Sequence, residues 1–391
     1  MASRARSPLT LIFLTVFIDL VGFGIVIPVL PLYAERFGAS PLVIGMLLGV
    51  YSLMACIFAP VLGRLSDRIG RRPVLLVSLL GTSLGFLLMG IAETLPILFL
   101  GRIIDGITGG NISTAQAYIA DVTPLSQRSK GMGLIGAAFG LGFIFGPAIG
   151  GILGHVSMAA PFLFAAALAA CNAVAAYCFL PESLPPEQRG HPEARASVLA
   201  VFAGGESRGL QLILATYFFT TVAFSLLTAT YPLFTKRHFG YNAMENGYIF
   251  AGLGLLGALV QGVLMGPLTR WTSDKVLAMI GAAILMAGLI ALPMTTASTL
   301  LLVATGAIGI GHGLVAAPLS GLASRQGTAA SQGRILGLMQ SAASMARIVG
   351  PVLGGWLMTI DAARPAQTFG QSAYWAASAL MSVALALAAL L

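Results

Sequence analysis

The sequence predicts an all-α membrane protein whose twelve helices form two pseudo-symmetric six-helix bundles, and three observations carry that expectation. Of 391 residues, 57% are hydrophobic and 9% charged, against roughly 25% charged in an ordinary soluble domain, so the side chains could not coat a water-facing surface. Twelve apolar runs approach the ~20 residues that a helix needs to cross a bilayer, where lipid offers the backbone no hydrogen-bond partner. The second six runs also repeat the first six at a nearly constant offset of just over two hundred residues.

In order, the runs cover 9–33, 41–62, 73–92, 95–120, 130–154 and 159–180, then 209–234, 245–268, 275–294, 298–322, 333–358 and 370–391. The first is longer than the apolar core of a signal peptide, lacks a small-residue cleavage site and contains Asp19, so it is expected to remain as a helix. With the N-terminus in the cytoplasm, fifteen of the 21 Lys and Arg fall on that side, four (Arg36, Lys236, Arg237 and Arg364) fall outside, and Arg102 and Arg347 lie within spans. That is the positive-inside pattern, and an odd number of spans would scramble it. Both termini are therefore expected in the cytoplasm. The proline-rich, charged stretch 181–208 reads as a cytoplasmic linker between an N-terminal bundle (1–180) and a C-terminal bundle (209–391).

The repeat is specific. Gly146-Pro147 in GFIFGPAIGG matches Gly350-Pro351 in ARIVGPVLGG at an offset of 204, and Gly63-Arg64-Leu65-Ser66 matches Gly266-Pro267-Leu268-Thr269 at 203. PLYAERFG (31–38) matches PLFTKRHFG (232–240) at 201 to 202. Six being even, both halves enter the membrane in the same sense, and parallel repeats place a site between them on an axis along the membrane normal. This is a transporter geometry.

Other classes fall away. The 48 glycines have no Gly-X-Y period, and the net charge of +8 is scattered through short gaps between apolar runs instead of forming a nucleic-acid surface. Cys56, Cys171 and Cys178 sit inside apolar runs, and His155, His191, His238 and His312 lack metal-ligand spacing, so neither a metal nor a cofactor is expected. Gly252-Leu-Gly254-Leu-Leu-Gly257 spells a dinucleotide fingerprint but lies within an apolar span with no strand before it, and no Walker-type lysine loop exists. No clustered catalytic set suggests an enzyme. The expected partners are a small-molecule substrate, protons and the lipid bilayer, with the chain acting as a monomer.

After span two comes GRLSDRIGRRPVL (63–75). It resembles the loop signature of the major facilitator superfamily, particularly its drug:proton antiporters. FIDLVGFGIVIPVLPLYAERFG in span one, GRIIDGITGGNISTAQAYIADVTP in span four, GAAFGLGFIFGPAIGGILG in span five and SRQGTAASQGRILGLMQSAASMARIVGP in the second half are most similar to the tetracycline efflux antiporters. The resemblance covers essentially the whole chain and implies the major facilitator fold in a bacterial inner membrane. It also implies that Gly63, Asp67, Arg68 and Arg72 form a gate that locks the cytoplasmic side while the cavity faces outward, with Asp67 near the start of span eleven. Arg68, Arg71 and Arg72 can each pair with Asp67 or with anionic headgroups. In span five, Gly142, Gly146, Gly150 and Gly154 recur every fourth residue around Pro147, a strip that lets a neighbouring helix approach and that in the resembling antiporters marks exchange.

Charges at bilayer depth are the candidate machinery, because a buried carboxylate there costs ~2.5–3.5 kcal/mol unless it lines a wet cavity or finds a partner. Asp19, midway along span one, matches an Asp of the tetracycline exporters and is a candidate proton site. Arg102 and Asp105 are three apart on span four and can pair on one helix face. Arg102 falls on the family's span-four arginine, while Asp105 stands where that family has a small residue. Conversely, the family's span-three Asp aligns with Gly85 and its span-eight His with Gly257, so substrate identity is not inherited. Arg347 shares a face of span eleven with Ser344 and Gln340 and would meet an anionic substrate group or pair with a carboxylate such as Asp19. Asn111, Gln116 and Gln261 suit either ligand orientation or interhelical bonding, and His312 is read as a hydrogen-bonded packing residue. Together these readings predict proton-coupled export of amphipathic small molecules or drugs by alternating access, with tetracycline-like compounds as one option. The alternative is a symporter or facilitator for a small anionic metabolite.

Overall fold

The computed structural model describes residues 8–124, 128–190, 207–326, 332–365 and 368–391. Arg4, Arg6, Arg195 and most of the predicted linker lie outside these residues, as do the side chains of Asn111, Arg128 and Lys130. The helices are α1 (Pro8–Arg36), α2 (Pro41–Ile69), α3 (Arg71–Gly90), α4 (Leu95–Thr108), α5 (Ile112–Val122), α6 (Arg128–Val156) and α7 (Ala160–Phe179). After the gap follow α8 (Arg208–Phe239), α9 (Ala243–Leu259), α10 (Met265–Trp271), α11 (Asp274–Ala291), α12 (Ser298–Arg325), α13 (Gln332–Asp361) and α14 (Gln371–Ala389). Eleven helices among the described residues are long and apolar enough to cross a membrane.

The fourth predicted span comes in two pieces. Gly109-Gly110-Asn111 form a 3₁₀ turn between α4 and α5, where two adjacent glycines weaken helical continuity. Span eight is continuous but contains a π-helical turn, Val260–Leu264, that joins α9 to α10 and carries Gln261; such turns interrupt regular α-helices and recur at functional sites.

Helix ends follow local chemistry. Ser40 and Ser273 accept hydrogen bonds from the amides of Val43 and Val276, and Asn242 with Glu245 forms a reciprocal capping box at the start of α9. The repeated PLYAERFG and PLFTKRHFG segments both end at a glycine of positive φ, Gly38 at 76° and Gly240 at 70°, a conformation that stops a helix without a Cβ penalty. The two halves thus share the same punctuation.

The repeat extends to packing. A Cβ at Gly146 would meet Val21 and Gly24 of α1, and one at Gly350 would meet Val222 and Ser225 of α8. Gly142 and Gly150 continue the first contact against Leu20 and Ile25, so the glycine strip seats α6 directly on α1. Polar groups inside the bundles bond across helices, as lipid requires: Asn172 Nδ2 donates to the Thr15 carbonyl at 3.0 Å, Ser225 Oγ to Ala346 O at 3.1 Å, and Tyr231 and Thr305 hydroxyls meet at 2.8 Å.

Among the described residues, the first six spans meet the last six from one end to about mid-helix. There Gly45 and Gly355 bring α2 and α13 into backbone contact through Pro351 and Pro41, and Gly247 of α9 packs on Pro147 and Gly151 of α6. Leu42 N donates to Thr359 Oγ1 at 3.0 Å, and Lys236 Nζ bonds Glu35 at 2.6 Å. Toward the other end, a Cβ at Gly133, Gly136, Gly140, Gly262, Gly266 or Gly337 would meet nothing within 4 Å. The spans therefore enclose a cleft that is shut at the Ser40/Asn242 end and open at the Gly70/Thr272 end.

Candidate functional site

The charged residues predicted within the spans converge around one side chain of α2. Arg102 and Asp105 are 2% and 4% exposed, and Arg102 Nη1 donates to Asp105 Oδ2 at 3.0 Å. The spacing of three on α4 places both on one face, as predicted. Thr82 of α3 lies at the same contact, its hydroxyl 3.4 Å from that of Thr108. Tyr51 of α2, which sequence reasoning passed over as one aromatic in an apolar run, stands beside the pair: the Arg102 guanidinium carbon lies 4.3 Å from its ring centroid. Asp19, Asp105, Arg102 and Arg347 are all within electrostatic reach of the Tyr51 hydroxyl, so one side chain marks the meeting place of spans one, two, four and eleven.

Gly85 explains why a carboxylate sits on span four. A Cβ at Gly85 would lie 2.8 Å from Gly101 O and 2.9 Å from Asp105 Cβ. The two positions share one site across the α3–α4 contact. Asp105 reaches across this contact with a glycine opposite to admit it.

Arg347 is half-buried on α13, and its guanidinium donates to Ser344 Oγ at 3.4 Å. No ion pair joins it to a carboxylate among the described residues. Tyr217 of α8 lies within its electrostatic reach. His312 stacks on Phe224 with centroids 3.9 Å apart and makes no hydrogen bond among the described residues, so it packs by its ring face instead of through its nitrogens. Gln116, Gln261 and Gln340 are exposed. Gln340 lies two turns from Arg347, whereas Gln116 is three turns beyond Asp105, away from the charged group. The Asn111 side chain lies outside the described residues.

The gate residues are arranged differently from expectation. The loop signature is mostly helix: α2 runs through Ile69, Gly70 alone makes the turn at φ 109°, and α3 begins at Arg71. Gly63 and Asp67 are buried on α2 and Arg68 is exposed. Asp67 pairs with Arg71, one turn along, and Arg71 Nε also donates to Asp121 at 3.1 Å. Of the three arginines, Arg71 is thus the ionic partner because it alone begins α3 and turns back under the end of α2. Arg72 instead donates to the Tyr177 carbonyl of α7 and lies over its ring. Glu182 accepts from the Arg71 and Arg72 amides at 2.8 and 3.2 Å, capping α3 from the start of the linker. A carboxylate at a helix N-terminus is favoured by the exposed amides and the dipole.

A family model described as Major Facilitator Superfamily matches residues 12–351, nearly the whole bundle described above. The chain belongs to this superfamily. It is 35% identical over 351 residues to a class B tetracycline resistance protein of Escherichia coli, covering 86% of this chain and 84% of that protein. It is also 30% identical to multidrug resistance protein 1 of Bacillus subtilis, with 91% of each chain covered. Among solved structures, the human organic anion transporter MFSD10 superposes with a TM-score of 0.71 at 25% identity, covering 98% of this chain and 99% of that one. The superfamily's architecture accounts for the twelve predicted spans, the parallel repeat and the central cleft.

Proposed function

We propose that the protein exports amphipathic drugs, tetracycline-like molecules among them, from a bacterial cytoplasm across the inner membrane in exchange for protons. The resistance functions named for its relatives support export. The observation that carries the proton coupling is the buried Arg102–Asp105 pair, with Tyr51 beside it and Asp19 within reach of the same tyrosine. A carboxylate so placed gains from being protonated or paired, and which it is can change with the compartment it faces.

The two six-span bundles, 1–180 and 209–391, act as the rocking units, and the basic residues at the open end make that end cytoplasmic. In the cytoplasm-facing state the carboxyl loses its proton and substrate binds. After rocking, external acidity returns a proton and substrate leaves. The membrane potential adds ~2.3 kcal/mol per charge per 100 mV, which lets export run uphill. The loop at Gly63, Asp67, Arg68 and Arg72 secures the opposite state, and the strip Gly142, Gly146, Pro147 and Gly150 provides the close seat on which α1 and α6 move as one body. Arg347, Gln340 and Gln261 face substrate.

Arg347 favours a second reading. A guanidinium with no carboxylate partner among the described residues suits an anionic substrate group, and proton and anion would then travel together. Proteoliposomes offered tetracycline or ethidium decide between the readings. Antiport predicts proton movement opposite to the drug and drug uptake driven by an imposed gradient; co-directional movement supports the second reading, and transport indifferent to the gradient removes proton coupling altogether.

A further inference from the structure

Tyr51 has no part in the proton step described above, yet α4 is shaped around it. A Cβ at Gly106 would lie 2.7 Å from the Tyr51 carbonyl oxygen, and one at Gly109 would lie 2.8 Å from the Tyr51 hydroxyl. Glycine at both positions is what lets the residue sit flush against α4. Its ring then faces the Arg102 guanidinium at 4.3 Å, within the range of cation–π attraction. Phe23 of α1 backs the ring, with centroids 5.6 Å apart. Arg102 Nε is buried with no acceptor among the described residues, so the guanidinium is held by one carboxylate and one aromatic face.

That arrangement matters when Asp105 is neutralised. An arginine that loses its ionic partner in a low-dielectric site is strongly disfavoured there. Of the charged groups that reach Tyr51 from other helices, Asp19 on α1 is itself titratable and Arg347 on α13 carries the same sign as Arg102. The ring face attracts the cation in either protonation state of the carboxyl.

We propose that Tyr51 is the positioning residue of the pair: its ring keeps Arg102 in place while Asp105 is protonated, so that the carboxyl ionises again against the same cation. The proposal rests on the proton reading of Arg102–Asp105. Tyr51 acts through Arg102 and not on the substrate, and its ring, not its hydroxyl, does so.

Arginine side-chain ¹H–¹⁵N spectra of the full chain in lipid nanodiscs test this, with the Arg102 signal assigned by its loss in Arg102→Lys. In the unsubstituted protein and in Tyr51→Phe, the Arg102 signal is expected to keep a ring-current displacement and slow water exchange at acid and neutral pH alike. In Tyr51→Leu the displacement vanishes, and exchange at acid pH rises roughly tenfold, within the range that a desolvated cation–π contact supports. Tyr51→Met is expected to follow Tyr51→Leu, and Tyr51→Trp to follow Tyr51→Phe; misfolding would disturb every arginine signal, not Arg102 alone. An Arg102 signal unchanged in the two ringless variants overturns the proposal, and so does a Tyr51→Phe variant that behaves like Tyr51→Leu. Failure of the underlying proton reading looks different: drug transport in proteoliposomes would move no protons while Arg102 still depended on the ring.

Discussion

At the scale of single residues, the site is organised by where charge is allowed to sit. Gly85 on α3 faces Asp105 on α4 so closely that a Cβ there would strike both the Gly101 carbonyl oxygen and the Asp105 Cβ, and the carboxylate resides on α4. Asp105→Asn keeps the shape and an acceptor for Arg102 but cannot exchange a proton. It should reduce drug export in cells to passive leak with expression unchanged, and normal resistance in that variant would remove Asp105 from the coupling. Asp105→Ala is predicted to be worse, costing ~3–5 kcal/mol of stability, because it leaves a buried guanidinium uncompensated. The same residue-level logic separates the arginines at the α2–α3 turn. Arg71→Ala breaks two ion pairs and should lower the thermal midpoint of the purified protein by several degrees, whereas Arg68→Ala, an exposed change, should leave it in place.

Among the helices, glycine position decides which surfaces touch. Gly146 lies against Gly24 backbone to backbone, so Gly146→Val must push α6 off α1; overpacking of this kind costs ~1–3 kcal/mol. Gly136, two and a half turns earlier on the same helix, faces open space, and Gly136→Ala should be silent in stability. Thermal unfolding of the two variants in detergent checks the contrast, and equal losses would contradict the packing described. The repeat in the sequence made such contacts expected in both halves, and the matching seats of Gly146 on α1 and Gly350 on α8 are its physical content. The break at Gly109–Asn111 and the π turn at Val260–Leu264 were not expected, since composition and hydropathy register the apolar length of a span and not the hydrogen-bond register within it.

For the whole molecule, the closed end carries an antisymmetric feature. Glu35 and Lys236 occupy equivalent places in the two repeats, at an offset of 201, and bond one another across the pseudo-two-fold axis. Identical residues would repel at such a self-contact, so the duplication has taken opposite signs. Both side chains are substantially exposed, and pairs of that kind contribute only ~0.2–1 kcal/mol. Glu35→Lys alone should therefore loosen the closed end by up to about fivefold in population, and Glu35→Lys with Lys236→Glu should restore it, read as spin-label distances across α1 and α8. Equal effects of the single and double variants would show that the pair does not couple the halves.

Much was legible before any coordinates. Apolar length and scarce charge determined a membrane bundle, the offset of just over two hundred residues determined two parallel halves, and the spacing of Arg102 and Asp105 determined an ion pair on one helix face. These are properties of segments, set by period and solubility. Only the tertiary structure decided which groups meet across helices: that Arg71 and not Arg68 or Arg72 holds Asp67, that Gly85 makes room for Asp105, that His312 stacks instead of donating, and that Tyr51 gathers charges from three other spans. Apart from Asp67 and Arg71, which meet around the Gly70 turn, such contacts join residues tens of positions apart, and the angle at which each helix presents its face follows from packing the whole bundle, which no local pattern encodes.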